Sequence, residues 1–290
     1  MIFNITAGKK WIYDRVTVTI TGNTSTSTYD ANNHTASGYT VSISNPSYKT
    51  TDFSFSGTAS ATGKNAGTYN MNLASSQFTN NNDTFRNVVF VVTDGHVKIN
   101  RKAVTVKADN KSKTYGSSDP TLTATVTGLL GSDTVSYSLS RASGSNVGTY
   151  TITPSGNATQ GNYSVTYQTG TFTINRKAVT VKADNKSKTY GASDPTLTAT
   201  VTGLLGSDTV SYSISRASGN NAGTYTITPS GTVNQGNYSV TYQTGTFTIN
   251  PASCTLTANS GTKTYNGSNQ SVTGFTCSVS GLSFSGVSAS

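Results

Sequence analysis

Few residues of this sequence have the chemistry of a catalytic site. Nucleophilic catalysis needs a base beside a serine or cysteine, and the 290 residues include two histidines, His34 and His96. Neither belongs to the tandem repeat that fills the middle of the sequence. We therefore interpret both as loop residues and not as catalytic bases.

The acidic residues are all aspartates, eleven in number. A pair of carboxylates can cleave a glycosidic bond, but the recurring aspartates stand in turn-forming stretches, which explains them without catalysis. These are Asp119, Asp133, Asp194 and Asp208. Residues 80–83, NNND, are rich in oxygen ligands but lack the ligand spacing of a calcium loop. We expect no bound metal, no cofactor and no enzyme activity.

Cysteine is rare in this sequence. Cys254 and Cys277 are its two cysteines, and both lie in the last forty residues. They could form a disulfide in an oxidising compartment or remain two small buried side chains. In either case disulfides do not hold the first 250 residues together.

The strongest pattern in the sequence is a tandem duplication. Residues 101–175 and 176–250 align without gaps and differ at seven positions. Five of the seven lie in or beside loops rich in Gly, Ser or Asn. The differences are Ser117/Ala192, Leu139/Ile214, Ser145/Asn220, Val147/Ala222, Asn157/Thr232, Ala158/Val233 and Thr159/Asn234.

Two more diverged copies flank this pair. Residues 86–100, RNVVFVVTDGHVKIN, align with GNYSVTYQTGTFTIN at 161–175, and residues after 250 continue the register. We therefore predict module one at 15–100, module two at 101–175, module three at 176–250 and the start of module four at 251–290. Residues 1–14 are expected to be the tail of a preceding module. We expect the sequence to be an internal piece of a longer protein, with export and anchoring signals elsewhere.

Each module predicts short β-strands. Apolar residues alternate with Thr, Ser and Lys about six times in 75 residues, and turn signals separate the runs. NYSVTYQTGTFTI predicts a hairpin around QTG. The fold class expected is all-β, with small antiparallel Ig-like sandwich modules in an elongated tandem array. A β-grasp module is the alternative, although no amphipathic helical segment is visible to cover its sheet.

A recurring tyrosine precedes Gly, Asp or Asn once in each module, and a second recurs in a GTY motif. Gly, Asn and Asp most readily adopt a left-handed backbone conformation. We predict structural anchors, with each ring buried in the open end of its sandwich and each hydroxyl bonded to backbone. The alternative is exposed rings that stack on sugars. The predicted anchors are Tyr29, Tyr115, Tyr190 and Tyr265, with Tyr69, Tyr150 and Tyr225 in the GTY set.

These motifs carry a family resemblance. KTYG, DPTLTATVTGL and the closing NYSVTYQTGTFTIN resemble the YGX-type MBG repeats of long, adhesin-like bacterial surface proteins. Module one, with TYDANNHTASGYTVSI, and the start of module four, with TLTANSGTKTYNGSNQSVTGF, look more like the related YDG-type repeats. The resemblance implies tandem β-modules in a secreted or wall-bound protein, located at the bacterial cell surface or in the cell wall. It implies no catalytic activity.

Charge and hydropathy limit the partners. The net charge of +9 lies largely on lysines that alternate with apolar residues, without an arginine-rich patch, so we expect no nucleic acid. No run approaches the twenty apolar residues of a membrane span. Because TFTINRKAVTV joins modules through only about three residues, we predict a monomeric, non-catalytic stalk or spacer. The alternative is repeated low-affinity binding of glycans or mucin.

Overall fold

The structure is a computed structural model that describes residue 12 and residues 14–278. Nearly all of the predicted tail 1–14, and module four beyond residue 278, lie outside the described residues. The described residues form two compact units that do not follow the repeat boundaries. Ser112–Asp119 and Ser145–Gly148 of module two belong to the second unit, with the residues from Thr173 onward.

The all-β class is confirmed. Among the described residues the regular elements are strands, apart from two 3-10 turns at Thr50–Asp52 and Ser75–Gln77. A β-grasp requires a helix packed on its sheet, and the described residues contain none. The sandwich interpretation is therefore the one that agrees with the structure.

Module three lies entirely in the second unit and shows the architecture most fully. Its strands are β19 (Lys177–Ala183), β20 (Lys186–Thr189), β21 (Ala199–Thr202), β22 (Ser213–Arg216), β23 (Gly223–Ser230), β24 (Asn234–Gln235), β25 (Tyr238–Gln243) and β26 (Gly245–Asn250). They form two four-stranded sheets, ordered β21-β19-β25-β24 and β20-β26-β23-β22. Val181, Ile227 and Phe247 are fully buried, and β19 contacts both β23 and β26. The alternating pattern therefore makes a sandwich, with its apolar residues turned inward.

The expectation of antiparallel pairing throughout is corrected by the structure. β19 runs parallel to β25, with Val179 opposite Val240, and β20 runs parallel to β26. The other pairs of these two sheets, β19–β21, β24–β25, β23–β26 and β22–β23, are antiparallel. Parallel neighbours need a long connection, and here the intervening strands of the module supply it.

The predicted hairpin around QTG is also wrong. β25 and β26 are consecutive but belong to different sheets, as do β19 and β20. The chain crosses between sheets at Thr244, and a Cβ on Gly245 would lie 2.6 Å from the backbone oxygen of Ala183. Asn185 Oδ1 accepts a hydrogen bond from the Thr246 N–H at 2.8 Å. A Gly-containing stretch that predicted a turn is therefore a corner where two parallel strands bend side by side.

Module two repeats these strands. They are β11 (Lys102–Ala108), β12 (Lys111–Thr114), β13 (Ala124–Thr127), β14 (Ser138–Arg141), β15 (Gly148–Ser155), β16 (Thr159–Gln160), β17 (Tyr163–Gln168) and β18 (Gly170–Asn175). In the first unit, β13-β11-β17-β16 form one sheet and β11 again runs parallel to β17. Val104, Val106 and Val165 fill its inner face.

Module one is a larger variant of the same plan. Its strands are β1 (Val16–Gly22), β2 (Thr24–Thr28), β3 (His34–Ser37), β4 (Tyr39–Ile43), β5 (Phe53–Phe55), β6 (Ser60–Gly63), β7 (Gly67–Asn70), β8 (Phe78–Asn80), β9 (Val88–Thr93) and β10 (His96–Asn100). Its three-stranded sheets, β4-β1-β9 and β2-β10-β7, contain the parallel pairs β1–β9 and β2–β10. The extra pair β5–β8 adds aromatic side chains, among them Phe53 and Phe78, to the core.

Module four is described only in part. Its strands β27 (Leu256–Ala258) and β28 (Phe275–Cys277) pair antiparallel. The structure joins Cys254 to Cys277 in a disulfide, with their Cα atoms 6.2 Å apart. The formation of this disulfide in the cell stays a prediction.

Candidate functional site

The tyrosine of KTYG ends a strand and faces the following module. In the second unit, Tyr115 follows β12 and donates its N–H to the Asn175 carbonyl at 2.8 Å. Gly116 has φ +83°, and a Cβ there would lie 2.1 Å from Leu205 Cδ1 of module three. The left-handed backbone therefore favours glycine here, and a larger residue would also have to displace the Leu205 side chain.

The ring of Tyr115 packs edge-on against Tyr238 of module three, with ring centroids 5.6 Å apart. Its hydroxyl donates to Asp208 Oδ2 at 3.3 Å, and the same oxygen accepts the Tyr238 hydroxyl at 2.5 Å. The Leu205 N–H in turn donates to the Tyr238 hydroxyl oxygen at 3.1 Å. We call this arrangement, with the asparagine contact described next, the second joint.

An asparagine fastens the same two modules at a second point. Asn237 Oδ1 accepts a hydrogen bond from the Val147 N–H at 2.8 Å, and its Nδ2 donates to Asn146 Oδ1 at 3.1 Å. Asn146 and Val147 belong to the loop that precedes the GTY tyrosine of module two. The Asn237 side-chain amide therefore bonds to module two through both its oxygen and its nitrogen.

The first joint, in the first unit, has the same tyrosine and carboxylate contacts. Tyr29 of module one packs edge-on against Tyr163 at 5.6 Å, and both hydroxyls donate to Asp133 Oδ2, at 3.4 and 2.6 Å respectively. The Leu130 N–H donates to the Tyr163 hydroxyl at 3.1 Å. Module one is a diverged copy, yet its tyrosine makes the same contacts as Tyr115.

The asparagine contact also recurs in the first joint. Asn162 Oδ1 accepts the Ala66 N–H at 2.8 Å, and Asn162 Nδ2 donates to Asn65 Oδ1 at 3.1 Å. These distances equal those of the second joint. The part of the chain that the structure describes therefore contains one type of joint, built twice.

The joint tyrosines on the receiving side are hard to ionise. Burial, then the hydrogen bond to Asp133, raises the pKa of Tyr163 above its ordinary value. Burial and Asp208 raise the pKa of Tyr238 in the same way. The joint is therefore assembled from neutral phenols around one carboxylate.

The structure places the predicted KTYG-type anchors differently from one another. Tyr29 is buried and Tyr115 half-buried in the joints, where the hydroxyl partner is a carboxylate of the next module and not the predicted backbone oxygen. Tyr190 bonds through its N–H to Asn250 and packs on the core of module three. Tyr265 is 88% exposed. The anchor role of the whole set stays a prediction.

The GTY tyrosines pack within their own modules. The Tyr69 hydroxyl donates to the Asn65 carbonyl at 3.0 Å, and the Tyr225 hydroxyl donates to the Asn221 carbonyl at 2.9 Å. The guanidinium of Arg141 lies 5.6 Å from the centre of the Tyr150 ring. Tyr69 therefore supports the loop whose Asn65 takes part in the asparagine contact of the first joint.

Sequence reasoning missed the receiving half of the joint. Asp133 and Asp208 were interpreted as turn residues, and Asn162 and Asn237 were not singled out. Each recurs at the 75-residue offset, but so does nearly every other residue of the duplicated modules. Recurrence alone therefore could not distinguish a joint residue from a core or loop residue.

The two histidines are not loop residues as predicted, because His34 begins β3 and His96 begins β10. Several of the residues considered for catalysis or metal binding have structural partners. His34 Nε2 lies 2.9 Å from Asp30 Oδ1, and the Asn32 N–H, followed by His34, lowers the pKa of Asp30 to about 2. In the stretch 80–83, Asn80 Oδ1 accepts the Tyr48 hydroxyl at 2.9 Å. Across the described residues, no three His, Cys, Asp or Glu side chains cluster as a metal site would require.

The turn aspartate Asp194 is held by two cations. Lys188 Nζ lies 2.7 Å from one carboxylate oxygen, and Arg216 Nε lies 2.6 Å from the other. Arg216, followed by Lys188, lowers the pKa of Asp194 to about 2. Arg216 also covers the Phe247 ring at 4.7 Å. This carboxylate therefore secures the edge of the sandwich.

Two family models match the chain. Residues 104–173 and 179–248 match the MBG domain of YGX type, and residues 16–101 match the MBG domain. The chain belongs to the MBG domain family. The predicted family is thereby confirmed, while the YDG-type character of modules one and four stays a prediction. MBG repeats are associated with surface proteins, so the matches indicate a repeat region of such a protein.

Other comparisons add little. The chain is similar to the crystal structure of Drosophila N-cadherin EC1-4, with 10% identity, 86% of this chain and 81% of that chain covered, and a TM-score of 0.23. We base no argument on so low a score. No curated protein matches the sequence. No helix among the described residues is long and apolar enough to cross a membrane.

Proposed function

We propose that this MBG chain is a non-catalytic spacer segment of a bacterial surface protein, in which the tyrosine and asparagine joint fixes module one to module two and module two to module three. The observation that carries the proposal is the repetition of the joint. Asp133 and Asp208 each receive a tyrosine of the preceding module, and Asn162 and Asn237 each bond a loop of it. Two separate contacts resist bending better than a short linker alone.

The proposal is tested by measuring how far the joint moves. Spin labels on the exposed residues Ser112 of module two and Ser215 of module three, which belong to the same compact unit, report the distance across the second joint by electron–electron double resonance, with both native cysteines replaced by serine. We expect a narrow distance distribution, which broadens in a variant carrying Tyr115→Ala and Asn237→Ala.

The matched control is Tyr265→Ala, because Tyr265 is 88% exposed and outside both joints. Circular dichroism establishes that each variant remains folded. A distribution that is already broad without the joint substitutions would mean a free hinge and would contradict a spacer of fixed geometry.

The location is proposed on family grounds. We place the parent protein outside the cell, on the bacterial surface or in the wall, because MBG repeats are associated with surface proteins. Antibodies raised against modules two and three should stain intact cells of the source organism. Staining that requires permeabilised cells would contradict this location.

A further inference from the structure

Each YGX-type module contains an open groove that lies apart from its fixed core. In module two its volume is about 530 Å³, and in module three about 390 Å³. The module-two groove is lined by Ser136, Tyr137, Ser138, Asn157, Thr159 and Gln160, with Ser155 and Gly156 at its base. The module-three groove uses the equivalent positions of the repeat. The same recess is thus built twice.

A glutamine fixes the floor of each groove. Gln160 Oε1 accepts the Ser136 N–H at 2.7 Å, and Gln160 Nε2 donates to the carbonyls of Ser136 and Asn157 at 2.9 and 3.0 Å. The Tyr167 hydroxyl donates to the same Asn157 carbonyl at 3.1 Å. A Cβ on Gly156 would lie 2.4 Å from the Tyr167 hydroxyl oxygen, so this position must be glycine. The groove is therefore preformed.

Module three repeats this floor closely. Gln235 Oε1 accepts the Ser211 N–H at 2.7 Å, and its Nε2 donates to the carbonyls of Ser211 and Thr232 at 2.8 and 2.9 Å. The Tyr242 hydroxyl donates to the Thr232 carbonyl at 3.1 Å. Because the hydrogen bonds of the floor are the same, the difference in volume between the two grooves arises from their walls.

A large aromatic ring is left exposed in each groove. Tyr137 is 37% exposed and Tyr212 is 36% exposed, whereas Tyr163 and Tyr238 of the same modules are buried. The remaining side chains along the grooves are hydroxyls and amides, and no charged residue lines either one. An accessible ring beside uncharged donors and acceptors suits a ligand with one apolar face and many hydroxyl groups.

We propose that each of these grooves binds a neutral saccharide, with Tyr137 or Tyr212 stacked on a sugar ring. A pyranose presents C–H groups on one face and hydroxyls around its rim, which matches an aromatic ring flanked by serine, threonine and asparagine. An acidic or basic ligand would find no counter-charge among the lining side chains. This role goes beyond the spacer function, and either could hold without the other.

The two grooves differ where a ligand would be distinguished. Three of the seven differences between the modules are consecutive: Asn157/Thr232 and Thr159/Asn234 line the groove, and Ala158/Val233 lies between them in the sequence. An amide and a hydroxyl exchange places, and Val233 is 55% exposed where the other module has alanine. Apart from Asn157/Thr232, which contributes its backbone carbonyl, the floor residues are identical. The two grooves should therefore prefer different saccharides, with these three positions as the determinants.

The test is a titration of the full chain, followed by NMR, with neutral trisaccharides of glucose, galactose, mannose and N-acetylglucosamine. The side-chain amides of Gln160 and Gln235 report on the two grooves separately. We expect at least one trisaccharide to shift one of these signals to saturation, with an affinity that is unchanged by salt because the lining is uncharged. Tyr137→Ala and Tyr212→Ala should each weaken binding at their own groove by about tenfold.

Tyr265→Ala is the matched control, since it removes an exposed tyrosine outside the grooves. Circular dichroism melting keeps loss of binding distinct from loss of fold. If none of the four trisaccharides shifts either glutamine signal, or if the control weakens binding as much as the groove variants, the proposal is overturned.

A second variant tests the specificity. Asn157→Thr, Ala158→Val and Thr159→Asn together give the module-two groove the wall of module three. The order of trisaccharide affinities at Gln160 should then change to the order measured at Gln235. An unchanged order would refute the assignment of these positions as determinants.

Discussion

One carboxylate organises each joint at the scale of single residues. Asp133 accepts the Tyr163 hydroxyl of its own module at 2.6 Å and the Tyr29 hydroxyl of the preceding module at 3.4 Å. Hydrogen bonds to an ionised acceptor are shorter and stronger than those between neutral groups. The short bond inside the module therefore holds the carboxylate ready for the tyrosine that arrives from outside.

Removing one hydroxyl should measure this preorganisation. Tyr163→Phe deletes the bond to Asp133 and the acceptor of the Leu130 N–H. We expect the free energy of unfolding to fall by about 1–3 kcal/mol, measured by chemical denaturation of the full chain. Tyr265→Phe, at an exposed position, should change it by less than about 0.5 kcal/mol. Equal effects of the two substitutions would contradict this preorganisation of the Asp133 carboxylate.

The raised tyrosine pKa values predict alkaline weakening. A group whose folded pKa is raised contributes stability that is complete below its unfolded pKa, about pH 10 for tyrosine, and is lost as pH rises through the folded value. Tyr163 and Tyr238 are both raised, first by burial. Melting temperatures should therefore fall above about pH 10, and less steeply in the Tyr163→Phe, Tyr238→Phe double variant. An equally steep fall would contradict the prediction.

At the scale of elements, the corner between sheets is the feature on which the sandwich depends. β19 and β20 bend beside β25 and β26, so two parallel strands change sheets together. The bend brings Gly245 against the backbone of Ala183. Backbone atoms cannot swing aside as a flexible side chain can, so this contact admits only glycine.

Gly245→Ala should therefore be costly although the backbone there is not left-handed. A Cβ would lie 2.6 Å from the Ala183 oxygen, and overpacking of this kind costs about 1–3 kcal/mol. Urea denaturation of the full chain measures the change. Gly261→Ala is the control, because a Cβ there meets its nearest atom, Val272 Cγ2, at an ordinary 3.4 Å. A tolerated Gly245→Ala would mean that the corner can open.

The sequence predicted strands more reliably than their connections. Apolar and polar residues alternate in KAVTVKA and YSVTYQ because neighbouring side chains of a strand point to opposite faces of the sheet. The buried residues Val179, Val181 and Val240 follow this alternation. The Gly of QTG indicates only that the backbone there has little room for a side chain. Both a hairpin turn and a corner between two sheets create such a site. Joint partners are harder still, since Tyr115 and Asp208 are separated by 93 residues and no local pattern links them.

At the scale of the whole molecule, the joints add the stability that small modules lack. A domain of about 75 residues buries little more than about 60% of its unfolded surface and is marginally stable alone. In repeat proteins the total stability is approximately a sum of module and interface contributions. Residues of module two whose side chains bond only to module one should therefore contribute to the free energy of unfolding only when module one is present.

The asparagine contact allows this to be tested with identical substitutions. A fragment of residues 101–250 contains modules two and three but not module one. In this fragment Asn237→Ala removes the partner of the Val147 N–H. Asn162 already lacks its partners there, because Asn65 and Ala66 belong to module one. We expect Asn237→Ala to cost about 1–3 kcal/mol and Asn162→Ala less than about 0.5 kcal/mol in this fragment. In the full chain both should cost about 1–3 kcal/mol. Denaturant unfolding of the four variants and of the two unsubstituted proteins measures these costs. Because the two asparagines occupy equivalent positions in nearly identical modules, a cost of Asn162→Ala that is the same with and without module one would show that the joint does not couple neighbours.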